Sequence, residues 1–213
     1  VEPPHGDFWR HTAPVAPFES RGFMGVNKGK RSISLDLKNP GSKEVLRRAV
    51  LSSDVLLANY RPGVAARLGM DYATLSALNP RLIYCENTAF GKKGPLAKRG
   101  GYDIVVQALT GLMAGEAKLD GDVPTYVYPA IGDYATGIQM SNAICAALYH
   151  REKTGKGQRI DCTLMGTAMA MQTSQFTWLE MFDDEVIPPM LESLKQARSE
   201  MKTFTQQVGV HKM

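Results

Sequence analysis

The sequence of 213 residues is poor in cysteine and histidine, the residues that most often form disulfides and hold metals. Its three cysteines, Cys85, Cys145 and Cys162, each lie among hydrophobic residues, and none forms a Cys-x-x-Cys pair. This pattern predicts buried free thiols in a reducing compartment. The four histidines have no metal-ligand spacing, so we predict that the protein holds no metal ion.

Long hydrophobic runs are also missing. Apolar stretches such as residues 143–149 are far shorter than the roughly 20 residues that a membrane-spanning helix needs, and no secretory signal peptide is visible. We therefore expect no membrane partner and a cytoplasmic location, or a mitochondrial one in a eukaryote. Because the sequence begins with Val1 rather than with methionine, we expect it to be a fragment or to have an uncovered beginning.

The basic residues outnumber the acidic ones slightly, with a formal net charge of +4. They are concentrated in residues 28–31, 92–99 and 151–159, which favours either a solvated basic face or a site for phosphate groups. Nucleic acid is not the expected partner, because few aromatic residues lie near these clusters and no nucleic-acid-binding motif is present. The Gly-x-x-x-Gly-Lys sequence at residues 25–30 is too short for a nucleotide-binding P-loop.

Strand and helix patterns alternate in the first half of the chain. The predicted elements are a strand at 31–36, a helix at 43–51 after Pro40, a strand at 54–59, a helix at 72–78 with Asp71 as its N-cap, and a strand at 81–85. This order predicts an α/β fold with a Rossmann-like parallel sheet and flanking helices. Ligands of such sheets bind at the carboxyl ends of the strands, which are residues 36–38, 59–61 and 85–90.

The second half is predicted to be mainly helical. Its predicted elements are a helix at 102–113, a polar connection at 116–127, a long helix at 133–153, a strand at 159–164, a helix at 164–182 and a last helix from Pro188 to about Gln207. By position alone, Asp133 is most simply the N-cap of the long helix.

Several short sequence motifs match those of a known family and occur in the same order. They are residues 59–63 and 67–69, residues 82–84 and 101–103, and residues 132–137 and 151–158. Together they closely resemble the family III CoA-transferases, which include formyl-CoA transferase and the CaiB/BaiF-like proteins and are related to α-methylacyl-CoA racemases. The resemblance covers roughly residues 1–165, taken as the large α/β domain. Residues 166–213 are taken as a helical extension, and the family's opening strand and helix are missing before Val1.

The resemblance implies a chemistry and a site. CoA moves between an acyl-CoA thioester and a free carboxylic acid through an acyl-aspartyl anhydride and an aspartyl-CoA thioester, with Asp133 as the nucleophile. The implied CoA contacts are Leu35, Asp36, Leu37, Lys38, Asn59, Tyr60, Arg61, Arg67, Gly101, Tyr102 and Asp103. No cofactor is permanently bound, since the CoA thioester is a substrate. The implied assembly is an interlocked homodimer.

Two alternatives remain at this point. A racemase of α-methylacyl-CoA needs two acid/base groups, and Tyr102 stands where the related racemases have a histidine. The phenol of tyrosine has an ordinary pKa near 10, which suits proton abstraction poorly. The other alternative is a catalytically incomplete subunit that binds CoA without acyl exchange, which the missing family segments favour.

Overall fold

The computed structural model describes residues 1–115, 119–120 and 123–200. The predicted connection at 116–127 is therefore described only in part, and the predicted helix end near Gln207 lies outside the described residues. The helices are α1 (Arg21–Val26), α2 (Pro40–Leu51), α3 (Val64–Leu68), α4 (Tyr72–Leu78), α5 (Asp103–Leu109), α6 (Leu112–Gly115), α7 (Ile131–Thr154), α8 (Leu164–Ala170), α9 (Thr173–Phe176) and α10 (Glu180–Ser199). The strands are β1 (Pro14–Ala16), β2 (Glu19–Ser20), β3 (Val55–Ala58), β4 (Ile83–Thr88), β5 (Leu119–Asp120), β6 (Val123–Pro124) and β7 (Arg159–Thr163).

Strands β3, β4 and β7 form a three-stranded parallel sheet with β4 in the centre. Cys85 of β4 lies opposite Leu57 of β3 on one side and opposite Ile160 of β7 on the other. The pairs β1–β2 and β5–β6 are separate two-stranded antiparallel ribbons. The predicted α/β class, a parallel sheet with flanking helices, is confirmed.

Helices α2, α3 and α4 pack with the sheet into the main hydrophobic core, which we call the α2–α4 core. Its buried residues are Leu46, Val50, Ala58, Ala65, Met70, Leu75, Leu82 and Tyr84. Burying a large apolar side chain fully contributes about 1.5–3 kcal/mol. The predicted N-cap of α4 is confirmed, because the carboxylate of Asp71 accepts a hydrogen bond from the backbone N–H of Thr74 at 3.1 Å.

A smaller cluster lies where α5 and α8 meet. Ala89, Val106, Leu164 and Ala168 are buried there, and α7 packs against both of these helices. Helix α7 runs from the segment after β6 to the turn before β7, and it contacts β4 and β7. The carboxyl ends of β4 and β7 thus lead directly into the cluster beneath the start of α7.

The end of α7 is anchored to the amino end of the sheet. Arg151 is only 6% exposed, and its guanidinium donates to the carbonyls of Asp54 and Arg81 and to the carboxylate of Asp54. Gly155 then ends the helix in the left-handed conformation (φ +73°). A side chain on Gly157 would overlap the backbone of Leu82, so only glycine fits this close approach.

The predicted strand at residues 31–36 is wrong. Ser34 forms only an isolated parallel bridge with Glu2, and residues 31–36 are not part of the three-stranded sheet. Alternating residues favour an extended backbone, but a strand also needs a neighbour for its ladder. Within the described residues, the backbone of Glu2 bonds only to Ile33 and Leu35 across this bridge.

The predicted helix boundaries after residue 100 need three corrections. The helix predicted at 102–113 is broken between α5 and α6, where Gly111 has a positive φ of +78°. The helix predicted at 164–182 is divided among α8, α9 and the start of α10. Pro188 and Pro189 do not begin the last helix but lie inside α10, which starts at Glu180. The helix accommodates both prolines, although neither has an N–H to donate.

Candidate active site

The long helix α7 begins two residues earlier than its predicted start. Ala130 is the N-cap residue and has no side chain that can bond the helix terminus. Asp133 lies in the first turn, so the prediction that it caps the helix is wrong. Its carboxylate is therefore not occupied with the helix's own N–H groups.

The capping role belongs instead to Asp103, the first residue of α5. Its Oδ1 accepts a hydrogen bond from the backbone N–H of Asp133 at 3.1 Å. Its Oδ2 accepts a short hydrogen bond from the side-chain amide of Gln107, one turn along the same helix. Asp103 is 6% exposed and Gln107 is fully buried. A buried acidic group thus lies directly under the first turn of α7, where the exposed N–H groups favour negative charge.

Gln107 extends this network to the segment before α7. Its side-chain oxygen accepts from the backbone N–H of Val127 at 2.8 Å, and its amide nitrogen donates to the carbonyl of Val127 at 3.3 Å. Residues 127 and 133 are therefore both tied to α5. We call Asp103, Gln107 and the backbone groups of Val127 and Asp133 the α5–α7 clamp.

The helix approaches Asp103 so closely that the residue before Asp133 must be small. A Cβ atom on Gly132 would lie 2.6 Å from Oδ1 of Asp103. Real Cβ atoms do not approach a carboxylate that closely, so a side chain there would push the clamp apart. Gly137, one turn further, has open space around it and no such restriction.

The carboxylate of Asp133 has no hydrogen bond or ion pair with any side chain that the structure describes. It is exposed on its outer side, yet the protein atoms beneath it desolvate the carboxyl group and raise its pKa above the ordinary value. The negative charge of Asp103 raises the pKa further. The N-terminus of α7 acts in the opposite direction, because it favours the ionised form. Asp133 is an accessible carboxylate that nothing in the described structure neutralises.

A glycine-rich loop, residues 91–101, joins β4 to the segment before α5, and the residues after β3 lie against it. The side chain of Arg61 lies over Gly100, and Gly101 packs against Ala89 and Phe90 at the end of β4. The loop then continues into Tyr102, which is 67% exposed, and into Asp103. The structure thus brings Arg61, the loop and the α5–α7 clamp together at the carboxyl edge of the sheet.

The other predicted CoA contacts lie around this edge. Tyr60 is half-buried against the α2–α4 core, and burial raises its pKa. Asn59 is exposed beside it, and Arg67 is exposed in the last turn of α3, near Gly63.

The predicted contacts at residues 35–38 lie just before α2. Leu37 packs against the α2–α4 core, Leu35 is half-buried, and Asp36 and Lys38 are exposed. Within the described part of the chain, no hydrogen bond or ion pair joins this segment to Asp103 or Asp133. These four residues therefore form a separate part of the predicted site.

Sequence reasoning missed a second region, a cavity of about 350 Å³ between α3, α4 and β4 with charged residues in part of its wall. Glu86 lies in its wall and forms ion pairs with Lys92 and Arg159. The hydroxyl of Tyr84 is buried with no partner among the described residues, and burial raises its pKa to about 12. The alternation of Tyr84, Glu86 and Thr88 along β4 was the available signal for this wall.

Two further classes of site are missing from residues 1–115, 119–120 and 123–200. No three His, Cys, Asp or Glu side chains there are grouped so as to hold a metal ion. No helix in that part of the chain combines the length and apolarity needed to span a bilayer.

Comparisons with known proteins show which family the chain resembles. A family model described as CoA-transferase family III matches residues 1–209. The acetyl-CoA:oxalate CoA-transferase of Acetobacter aceti is 41% identical over 180 residues, which are 84% of this chain and 46% of that protein. The succinyl-CoA:glutarate CoA-transferase of Mus musculus is 37% identical over 174 residues, 80% of this chain and 39% of that protein. The chain spans less than half the length of these relatives.

Crystal structures agree with the sequence relatives. A CaiB/BaiF family protein from Brucella suis superposes with a TM-score of 0.74 at 37% identity, over 83% of this chain and 48% of that one. A hypothetical protein from Mycobacterium tuberculosis gives a TM-score of 0.75 at 34% identity, over 82% of this chain and 48% of that one. Both matches cover about half of the neighbour's chain.

Proposed function

This chain belongs to CoA-transferase family III, and from that premise we propose that it transfers CoA between an acyl-CoA thioester and a free carboxylic acid. The observation that carries the proposal is Asp133, an accessible carboxylate without a charge partner in the described structure, held in the first turn of α7. An unpaired carboxylate is suited to nucleophilic attack on a carbonyl, and helix N–H groups beside it are suited to stabilising the negative charge that develops.

The proposed chemistry proceeds by substitution at three carbonyl carbons, those of the donor acyl group, of Asp133 and of the acceptor. An oxygen of Asp133 attacks the thioester carbonyl, the C–S bond breaks, and CoA leaves as the thiolate. The thiolate then attacks the aspartyl carbonyl of the mixed anhydride and releases the first acid. The acceptor carboxylate attacks the aspartyl-CoA thioester, the C–S bond breaks, and a second mixed anhydride forms as CoA thiolate leaves. The thiolate then attacks the acceptor's acyl carbonyl in this anhydride, which forms the new acyl-CoA and releases Asp133 as the carboxylate. No net proton or electron is transferred, and the Asp133 carboxylate is regenerated.

We propose small dicarboxylic acids as the acceptor class. The Acetobacter relative is named for oxalate and the mouse relative for succinyl-CoA and glutarate. The exposed cations Lys38, Arg61 and Arg67 suit the CoA phosphates. Leu35, Leu37 and Tyr60 offer apolar contact for the rest of the CoA molecule. We further propose that the active assembly is a homodimer.

The racemase alternative is not favoured. Tyr102, at the position where a racemase has its histidine, is a 67% exposed phenol. No hydrogen bond of the described structure links it to Asp133. The binding-subunit alternative makes a different prediction, namely CoA binding without any covalent change at Asp133.

The test follows oxygen atoms into Asp133. Purified protein is incubated with succinyl-CoA and with oxalate or glutarate whose carboxyl oxygens are ¹⁸O. Because the acceptor oxygen stays on the aspartyl carbonyl when the anhydride is cleaved, one label should enter Asp133, which peptide mass spectrometry detects.

Two variants serve as controls. Asp133→Asn should bind CoA but take up no label, and Asp184→Asn, on the exposed face of α10, should behave as the wild type. CoA binding without label in the wild type would support the binding-subunit alternative instead.

A further inference from the structure

The clamp beneath Asp133 has features that helix capping alone does not require. A single N-cap hydroxyl or amide would satisfy the helix terminus, whereas here the group is a buried carboxylate, an acid placed next to another acid. Both of its oxygens are occupied by protein donors, the N–H of Asp133 and the amide of Gln107. Gly132 is required only because this carboxylate lies so close.

We propose that Asp103, held by Gln107, is a positioning residue that fixes the backbone of Asp133 and sets the charge environment of its carboxylate. This inference rests on the proposed function. It gives the side chain of Asp103 a role other than the CoA contact that the family resemblance implies, and leaves the backbone of residues 101–103 free to approach CoA. It also assigns a role to Gln107, which the sequence motifs did not include.

The geometric part of the role is direct. The Asp103 bond fixes the N–H of the nucleophilic residue itself, and Gln107 fixes Val127 in the segment that leads into α7. An error of about 1 Å in the position of a reacting group can lower a rate by about 100-fold. A nucleophile in the first turn of a helix whose own N-cap residue, Ala130, has no capping side chain needs such support.

The electrostatic part follows from like charges. The negative charge of Asp103 disfavours ionisation of Asp133, which makes the Asp133 carboxylate more basic and a stronger nucleophile. Tyr102 precedes Asp103 in the chain, Tyr128 and Tyr134 lie near Asp133, and all three are exposed phenols. Among the described residues, Asp103 is the one charged group that shifts the Asp133 carboxyl.

The two parts can be separated by moving the charge without breaking the clamp. In Asp103→Asn alone, the new amide faces the amide of Gln107, so two donors meet. In the double variant D103N/Q107E, the new amide donates to the carboxylate introduced at position 107, which still accepts from the N–H of Val127. The negative charge then lies one hydrogen bond further from Asp133. The 3.3 Å bond to the Val127 carbonyl is lost, and a carboxylate oxygen faces that carbonyl instead.

The experiment measures the exchange rate and the titration of Asp133 in the same four proteins: wild type, both single variants and the double variant. We expect D103N to lower kcat by about 10- to 100-fold with little change in KM for acyl-CoA. The double variant should recover the part of that loss that comes from the broken hydrogen bond between positions 103 and 107. In both, ¹³C NMR of the Asp133 carboxyl, identified by its absence in Asp133→Asn, should show a lower pKa than in the wild type.

The outcomes are distinct. An unchanged kcat and an unchanged Asp133 titration in D103N would overturn the proposal, and so would a folded double variant that recovers no activity. The NMR titration does not depend on turnover. If the wild type takes up no ¹⁸O at Asp133 while D103N still lowers its pKa, the proposed function fails and the electrostatic role of Asp103 stands.

Discussion

The two ends of α7 hold charged side chains in opposite ways. At the carboxyl end, Arg151 is buried and donates to two carbonyls and to the carboxylate of Asp54. At the amino end, Asp133 is exposed, has no counter-ion in the described structure, and lies beside a second acid, Asp103. A charge that the fold pairs holds the helix in place, whereas a charge that the fold leaves unpaired is available for a reaction.

The strongest effect that we predict comes from a substitution at the amino end of α7. Asp133→Asn removes the proposed nucleophile and should lower kcat of the proposed CoA transfer by about 1,000-fold or more. It should not lower the urea midpoint, because the amide has the same size and ends the repulsion from Asp103. A variant that loses activity and stability together would mean that Asp133 also supports the fold. That result would contradict the contrast drawn above between Asp133 and Arg151.

The second strongest effect is a loss of stability caused by a substitution at the carboxyl end of α7. Arg151→Met keeps most of the apolar stem but removes the guanidinium donor from the carbonyl of Arg81 and from the carboxylate of Asp54, while the carbonyl of Asp54 keeps the N–H of Ile83. The change should destabilise the protein by about 3 kcal/mol. Urea unfolding measures the loss. Lys153→Met on the same helix is the control, since Lys153 is exposed and should change stability by less than about 0.5 kcal/mol.

Gly132 and Gly137, both near the amino end of α7, differ in the space around them. Gly132→Ala places a methyl group against Asp103 and should cost about 1–3 kcal/mol while lowering activity. Gly137→Ala meets open space and should stabilise the helix by about 0.5–1 kcal/mol with activity retained. Equal effects of the two changes in thermal unfolding would contradict a tight α5–α7 clamp.

The smallest effect is a pH dependence of stability. The pKa of Asp133 is raised in the folded state, so its ionised form destabilises the fold above that pKa. This cost disappears as the pH falls below the ordinary value of 3.8. Asp133→Asn should therefore be more stable than the wild type near neutral pH, with a difference that shrinks towards acid. A stability difference that grows as the pH falls would mean that the fold lowers the pKa of Asp133 instead of raising it.

The sequence predicts the local parts of this fold well. The apolar runs before Asn59 and through Cys85 are strands, Pro40 begins a helix, and Asp71 caps one, because each depends on residues within a few positions. The strand at 31–36 fails because strand formation needs a hydrogen-bonding neighbour.

The site is less predictable for the same reason. The resemblance selects Asp133, but its environment depends on Asp103, 30 residues away, and on Gln107. The family segment at 151–158 contains Arg151, whose partner Asp54 is 97 residues away. Nothing in the local pattern distinguishes this buried arginine from its solvated neighbours. The CoA contacts and the boundary at residue 165 stay predictions.

The strand order β3-β4-β7 also sets the order in which the protein can assemble during synthesis. The α2–α4 core is built entirely from residues 46–84, so it can form soon after those residues leave the ribosome. Strand β7 joins β4 only after the whole of α7 has been made, and closing so long a loop is slow. Asp133 lies inside that late crossover. A change that weakens only the β4–β7 pairing should therefore give chains with a sound amino-terminal core and an unassembled site.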